Sequence, residues 1–360
     1  MIILVVSDFH LGKGRFFKNG ELNILEDFNE DQHFFELCEY YVQGEYKNKE
    51  VKLVLNGDIL NLIQVDVQGI FHHLIDENIT IKALQSIVKG HPVFFEGLKA
   101  FLKESKKKLI YVIGNHDNGM AFPKVQDLFN ELVGGEVEFC HEWEENGVHI
   151  EHGHQFESIN TVPKEKFFIN GPNGKKILNL PWGSLFCIRL IPSLKKDRPY
   201  IDKVRPMNSY IKWLLFHDFF FAIKFAYSIG RYFFLSNFAE YTRHMSNFKT
   251  TISVLKQITM YPLYSRKARA IMKRNKDIHT VVMGHTHIVE WRRYPEGKSY
   301  FNTGTWNSIP SIDAGLHEPV SKMTYVYLQL HPKSKAIDSG CLNTWQGNWR
   351  PYIEEAKIST

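Results

Sequence analysis

Short apolar runs alternate with mixed polar and apolar stretches along the first part of the chain. The run 2–6 (IILVV) is too short for a membrane span and is typical of a buried strand, and 51–60 and 107–117 begin in the same way. The stretches 27–43 and 91–105 have the mixed pattern of helices that face a core. Later apolar runs follow one another more closely, at 147–156, 277–291, 300–306 and 324–331. Alternating strands and helices followed by successive strands predict an α/β sandwich.

Five of the predicted strands end in polar clusters. The clusters are Asp-Phe-His at 8–10, Gly-Asp at 57–58, Gly-Asn-His-Asp at 114–117, His-Gly-His at 152–154 and Gly-His-Thr-His at 284–287. Ligands in open α/β sheets gather at the carboxyl ends of strands, so we expect these clusters to converge on one place. Carboxylate oxygens and imidazole nitrogens together suit a divalent metal ion. The sequence therefore predicts a metal site at one edge of the sandwich.

In this order the five clusters resemble the calcineurin-like metallophosphoesterase superfamily, over residues 1–160 and 278–332. The resemblance implies a two-sheet αββα sandwich and a site for two divalent metal ions. It assigns one ion to Asp8, His10, Asp58 and His287. It assigns the other ion to Asp58, Asn115, His152 and His285, so that Asp58 bridges the two.

The resemblance also implies the chemistry beside the metals. His116 would be the general acid that protonates the leaving oxygen, and Asp117 would orient its ring. Mn²⁺ is the first choice of metal, with Fe, Zn or Mg as alternatives, because oxygen and nitrogen ligands do not discriminate sharply among these ions. The expected activity is hydrolysis of a phosphoester or pyrophosphate.

The detailed motifs resemble most closely the UDP-2,3-diacylglucosamine hydrolases. SDFHLG at 7–12, NGDILNL at 56–62 and HGHQFES at 152–158 carry this likeness. The chain departs from those enzymes by His-Gly-His in place of His-Gly-Asp, and by His116 where many have arginine. The resemblance implies a lipid-linked or nucleotide-linked anionic substrate. Two alternatives stay open: a nuclease or phosphodiesterase acting on nucleic acid, and a non-catalytic metal-containing protein that binds a surface.

A basic segment interrupts the predicted core. The chain carries a net charge of +5, yet residues 155–278 hold 22 Lys and Arg against 7 Asp and Glu. Within them, 212–238 is rich in Phe and broken by charges, which predicts helices with broad apolar faces, and 263–277 predicts a basic helix. Such a cap would suit an acyl chain or peripheral contact with an anionic membrane. A cap with an ordinary buried core and a nucleic-acid surface are the competing interpretations.

These observations divide the chain. We expect a metallophosphoesterase core at 1–154 and 279–332, a helical insertion at 155–278 and a C-terminal extension at 333–360. The four cysteines are far apart and match no metal or redox spacing, and the first apolar run is too short for a signal segment. Together these features favour a cytoplasmic protein, and the basic, Phe-rich insertion at 155–278 adds the expectation of peripheral contact with the inner membrane surface.

Overall fold

The computed structural model of the 360-residue chain describes residues 1–17, 19–199, 201, 207–238, 263–309, 322–331, 337–348 and 351–358. Its strands are β1 (Ile2–Val6), β2 (Val51–Asn56), β3 (Lys107–Val112), β4 (Val137–Cys140), β5 (Glu142–Glu145), β6 (Val148–Glu151), β7 (Phe168–Asn170), β8 (Lys176–Leu178), β9 (Thr280–Met283), β10 (Val289–Arg293), β11 (Ser299–Thr303), β12 (Thr324–Leu330), β13 (Ile337–Trp345) and β14 (Tyr352–Ile358). Its helices are α1 (Asp31–Tyr40), α2 (Glu77–Gly90), α3 (Pro92–Leu102), α4 (Pro123–Val133), α5 (Trp182–Arg189), α6 (Ile191–Asp197), α7 (Met207–His217), α8 (Phe219–Phe238) and α9 (Tyr264–Arg274).

Two sheets form the centre of the protein. The first has the strand order β14-β13-β12-β1-β2-β3-β4, in which β1 to β4 are parallel and β12 to β14 are antiparallel to their neighbours. The second has the order β10-β11-β9-β6-β5, with β6, β9 and β11 parallel. β7 and β8 form a separate hairpin. The predicted clusters thus lie at the carboxyl ends of parallel strands in both sheets.

Strand β1 shows how its sequence places it between two layers. Ile2, Leu4 and Val6 belong to the apolar cluster that includes helices α1 to α4, whereas Ile3 and Val5 belong to the cluster between the two sheets. Because successive side chains of a strand point to opposite faces, a continuous apolar run fits a strand that is buried on both sides. Fully burying one such side chain contributes about 1.5–3 kcal/mol.

The outer face of the second sheet is covered by α9. Tyr264, Ala268 and Met272 recur at helical spacing and pack on Val281 and Tyr300 of the sheet. The layers therefore run from α1 to α4 through both sheets to α9. This order confirms the predicted two-sheet αββα sandwich, and α9 confirms the basic helix predicted at 263–277, its charges lying on the opposite face.

The helices expected within the insertion are present, and they pack in two ways. Trp182, Leu185 and Ile188 of α5 join the main core on the side of α1 to α4. Helices α6 to α8 form a small cluster of their own around Leu214 and Phe221. The parts of the predicted cap at 202–206 and 239–262 lie outside the described residues. The division of the chain at 155 and 278 stays a prediction.

All seven predicted strands are confirmed, as β1, β2, β3, β6, β9, β11 and β12. The segment set apart as a C-terminal extension supplies β13 and β14, which continue the first sheet beyond β12. Across the described part of the chain, no helix combines the length and the apolar character needed to cross a bilayer.

Candidate metal centre

Left-handed backbone conformations mark the predicted ligands. Asp8, His10, Asp58, His285 and His287 all have φ between 53° and 68°, a region that side chains rarely adopt. Only two other non-glycine residues in the described chain share it. Such conformations persist where the surrounding structure holds them in place, and they concentrate at functional sites. Here the turns that follow β1, β2 and β9 bring the five side chains to one edge of the sandwich.

The first group of donors surrounds Asp8. Nε2 of His10 and Nε2 of His287 lie 3.1 Å apart, and Nε2 of His287 lies 3.4 Å from Asp8 Oδ1. Nε2 of His10 is also 3.9 Å from Asp58 Oδ2. Two imidazole nitrogens that face each other at this distance, beside two carboxylates, are arranged as ligands around a common point.

The second group of donors includes Asp58, His152 and His285. Nε2 of His152 lies 3.1 Å from Asp58 Oδ2, and His152 Nδ1 lies 2.8 Å from the carbonyl oxygen of Asn56. A proton on Nδ1 that is donated to this carbonyl leaves Nε2 with its lone pair, as a metal ligand requires. Asp58 also forms a group of donors with His10 and His116. Because His10 belongs to the first group as well, Asp58 stands between the two groups, where a bridging ligand would stand.

Asn115 completes the predicted second set. Its side chain is buried, and its Oδ1 has no hydrogen-bond partner among the residues that the structure describes. An unpaired buried amide oxygen is costly, whereas a bound cation would satisfy it. The donor set of carboxylates, imidazoles and one amide oxygen thus fits two divalent ions.

Glycines let the ligand turns approach one another. Gly57 has φ +77°, and a Cβ there would lie 2.5 Å from the ring of His152. At Gly114 a Cβ would lie 2.3 Å from Asp58 Oδ1. Both positions exclude any larger residue, which explains why glycine precedes the polar residues in these two motifs.

His116 lies against the first group of donors. Its backbone N–H donates to Asp58 Oδ1 at 2.7 Å, and its ring meets that of His10 edge to face, with centroids 4.5 Å apart. Nδ1 of His116 is 2.9 Å from Oδ1 of Asn61. Since an amide oxygen only accepts hydrogen bonds, Nδ1 carries the proton in this contact and Nε2 is the nitrogen left to face a substrate.

Asp117 requires a correction, because it does not orient His116. Its Oδ2 accepts hydrogen bonds from the Ile59 N–H at 2.9 Å and the Tyr111 hydroxyl at 2.7 Å, and its Oδ1 accepts one from the Gly114 N–H at 2.6 Å. The turn after β3 directs the carboxylate inward, away from the ring of the preceding residue. Asp117 therefore fixes the turns that carry Asp58 and Asn115.

Burial and mutual charge shape the protonation of the site. Burial alone would raise the pKa of Asp58, but His152 and His116 outweigh it and hold that pKa well below its ordinary value. Burial, followed by the neighbouring His116, lowers the pKa of His10 well below 6.5. Burial also lowers the pKa of His116, against the opposing effect of Asp58. The site thus favours a charged Asp58 and neutral His10 and His116. At His152 burial opposes the charge, but Asp58 and Asp8 outweigh it and raise the pKa to about 10, so a cation that binds there displaces a proton.

Two residues near the centre escaped the sequence-based prediction. Asn61 contacts His116, and it also donates to Gln64 Oε1 at 2.9 Å, while Gln64 donates to the carbonyl of Cys187 in α5 at 3.1 Å. Glu157 Oε2 lies 2.9 Å from His285 Nε2. Both residues stand within the motifs NGDILNL and HGHQFES, three and five residues after predicted ligands, which is the signal that could have identified them.

A cavity of about 460 Å³ opens beside Asn61. Lys13 and Lys196 line it, and Lys13 forms an ion pair with Asp66 at 2.7 Å. Its apolar wall consists of Phe17, Leu22, Ile24, Leu25, Val65, Phe71 and Pro192. A cavity of this size with an apolar wall and a few polar groups is typical of a small-molecule site.

No family model and no curated protein matches this chain. Solved structures do. A Vps29 from Entamoeba histolytica in complex with zinc is 11% identical, with 100% of each chain covered and a TM-score of 0.35. A dimetal phosphatase from Danio rerio is 10% identical, covering 100% of this chain and 98% of that chain, with a TM-score of 0.37. A calcineurin-like phosphoesterase from Bacillus subtilis is 13% identical, covering 100% and 89%, with a TM-score of 0.30.

At these identities and TM-scores the superpositions carry no argument about chemistry. The layer order is that of a two-sheet αββα sandwich, and the five motifs lie at the ends of its strands. Any assignment of activity rests on the geometry of the site itself.

Proposed function

We propose that the protein is a two-metal-dependent hydrolase of phosphoesters or pyrophosphates. The observation that carries the proposal is the pair of donor groups linked by Asp58, which belongs to the second group and lies 3.9 Å from His10 of the first, with His116 beside them. A site that served only to stabilise the fold would need closed coordination of each ion and no proton donor at its edge. Two cations held side by side, with a carboxylate between them, can together bind a phosphoryl group.

When bound, two divalent ions would polarise the phosphoryl group and stabilise the charge that develops on its oxygens. The chain's own residues divide the remaining work. Asp58 and the imidazoles fix the donor geometry, and Asn61 holds the proton of His116 on Nδ1. As a general acid His116 carries a proton on both nitrogens, gives the Nε2 proton to the leaving oxygen, and becomes the neutral ring whose Nδ1 proton Asn61 accepts. Mn²⁺ remains the proposed metal, with Fe, Zn and Mg as alternatives.

We propose a lipid-linked or nucleotide-linked substrate. The cavity beside Asn61 supports this substrate class because its wall is apolar while Lys13 and Lys196 stand at its border. An apolar group of the substrate would occupy the cavity, and the lysines would face its anionic part. Hydrolysis of UDP-2,3-diacylglucosamine fits both features.

Peripheral contact with an anionic membrane is a further part of the proposal. Phe216 and Phe220 are 84% and 87% exposed, and Trp213 is 43% exposed. Lys212 and Arg231 are exposed on the same two helices. Aromatic side chains beside basic ones suit the interface of a bilayer with anionic head groups, which would place the enzyme at the source of a lipid substrate.

Turnover assays separate the candidate activities. Purified protein with Mn²⁺ should hydrolyse both an aryl phosphodiester and UDP-2,3-diacylglucosamine, with the higher kcat/KM for the lipid. Asp58→Ala should abolish both activities. Hydrolysis of DNA or RNA with binding that weakens steeply with salt would favour a nuclease instead. Two bound metals without turnover of any of these substrates would refute the proposed hydrolase.

A further inference from the structure

A carboxylate from the insertion meets one of the predicted metal ligands. Glu157 Oε2 lies 2.9 Å from Nε2 of His285, although 128 residues separate the two along the chain. Their side chains are 15% and 9% exposed. Glu157 is absent from the groups of described residues whose atoms could together hold an ion. Glu157 thus contacts His285 without belonging to the donor group of Asp58, His152 and His285.

This contact decides which nitrogen of His285 faces the centre. The two ring nitrogens point to different sides of the imidazole, and a carboxylate at Nε2 keeps the proton there. Nδ1 is then the nitrogen with a lone pair for an ion held by Asp58 and His152. A metal-binding histidine gains both orientation and basicity when a carboxylate accepts its other N–H group.

Glu157 is itself held by the insertion. Nδ2 of Asn160 donates to Glu157 Oε2 at 2.8 Å, and the N–H of Gly183 in α5 donates to the carbonyl of Ile159 at 2.8 Å. A Cβ at Gly183 would lie 2.2 Å from Asn160 Oδ1. The packing of α5 thus fixes Asn160, and Asn160 fixes the carboxylate.

We infer that Glu157 is a positioning residue for the second metal, and that Asn160 and α5 hold it in place, so that the insertion tunes how tightly this ion binds. The inference rests on the two-metal site of the proposed function and not on its substrate. It assigns the beginning of the insertion a part in assembling the metal centre.

Calorimetric titration of metal-free protein with Mn²⁺ tests the inference, using wild type, Glu157→Gln and Glu157→Ala. We expect one of the two binding steps to weaken roughly 10–100-fold in Glu157→Ala and less in Glu157→Gln, which keeps an acceptor oxygen, while the other step stays unchanged. Glu165→Gln removes the same charge from an exposed position of the same segment and should match wild type. Unchanged affinities in both Glu157 variants would overturn the inference.

Two further measurements test the support from α5 and separate a positioning residue from a metal ligand. Gly183→Ala displaces Asn160 without touching Glu157, and we expect a smaller loss at the same binding step. The absorption spectrum of the Co²⁺-loaded protein reports the coordination number of the ion, and this number should be the same in Glu157→Ala and in wild type. A changed coordination number would make Glu157 a ligand and overturn the positioning role. Wild type that binds no metal would refute the proposed function itself, which distinguishes that failure from this one.

Discussion

Oδ1 of Asn61 lies 2.9 Å from Nδ1 of His116, and this contact orients the imidazole at the edge of the metal centre. The role that the sequence suggested for Asp117 therefore belongs to a residue on the turn after β2. Through Gln64 and the carbonyl of Cys187, the same contact connects His116 with α5.

Asn61→Ala should lower kcat roughly 10–100-fold, the usual loss when a partner that orients an active-site group is removed. Asn61→Asp keeps an acceptor oxygen and should retain more activity. Thermal unfolding compares this role with that of Asp117. The carboxylate of Asp117 accepts three hydrogen bonds, so Asp117→Asn should lower Tm. Asn61→Ala should leave Tm closer to that of wild type. Equal turnover of Asn61→Ala and wild type would rule out the orienting role.

His116→Ala should lower turnover by about 10²–10⁴-fold while leaving metal content near that of wild type. The loss should shrink for aryl phosphodiesters with more acidic leaving groups, because a good leaving oxygen needs less protonation. A series of leaving groups measured with both proteins gives the answer. If every member of the series lost the same factor, His116 would position the substrate and would not act as an acid.

His91 gives a prediction about stability and pH. Its Nδ1 lies 2.9 Å from Asp31 Oδ1, and its Nε2 lies 3.1 Å from Glu26 Oε2. Glu26 also accepts hydrogen bonds from the N–H groups of Gly12 and Gly14, in the loop that follows His10. Burial opposes the charge of His91, but the two carboxylates outweigh it and raise its pKa from 6.5 to about 9. The stabilisation is therefore fully present below pH 6.5 and is lost as pH rises through about 9.

A shift of this size corresponds to on the order of 3 kcal/mol of unfolding free energy. Urea unfolding of wild type at pH 6 and pH 10 should show a loss of that order, and His91→Gln should lose much less over the same interval. Parallel pH dependences in the two proteins would mean that other groups cause the effect.

The exposed aromatic face of α7 and α8 predicts binding to anionic vesicles. Phe216→Ser combined with Phe220→Ser should weaken binding to phosphatidylglycerol vesicles and raise KM for a lipid-linked substrate, because burial of apolar area contributes about 25 cal/mol per Å². KM for a water-soluble phosphodiester should not change. Ile70→Ser removes an apolar side chain that is 58% exposed elsewhere on the surface and should have no effect.

Vesicle sedimentation with wild type, the double variant and the control decides the matter. Equal binding of all three proteins to phosphatidylglycerol vesicles would contradict the membrane contact, and so would equal binding of wild type to neutral phosphatidylcholine vesicles.

The strands and their polar ends could be predicted from the sequence because each buried strand is a short apolar run that ends directly in its cluster. The partners of those clusters could not. Asp117 follows His116 in the chain, yet the turn after β3 sends its carboxylate inward, and only the fold shows this direction. Glu157 reaches His285 from 128 residues away, and strands β13 and β14 join the first sheet through pairings that local patterns do not reveal.

The number of metal ions bound per chain by Asp58→Ala, measured next to wild type by elemental analysis after loading with Mn²⁺, tests the central claim most directly. Asp58 belongs to the second donor group, and its Oδ2 lies 3.9 Å from Nε2 of His10 in the first. Wild type should therefore bind two ions per chain, and Asp58→Ala should lose most of its metal while keeping the circular dichroism of the folded protein. Folded Asp58→Ala that retains two ions per chain would contradict the shared-carboxylate centre.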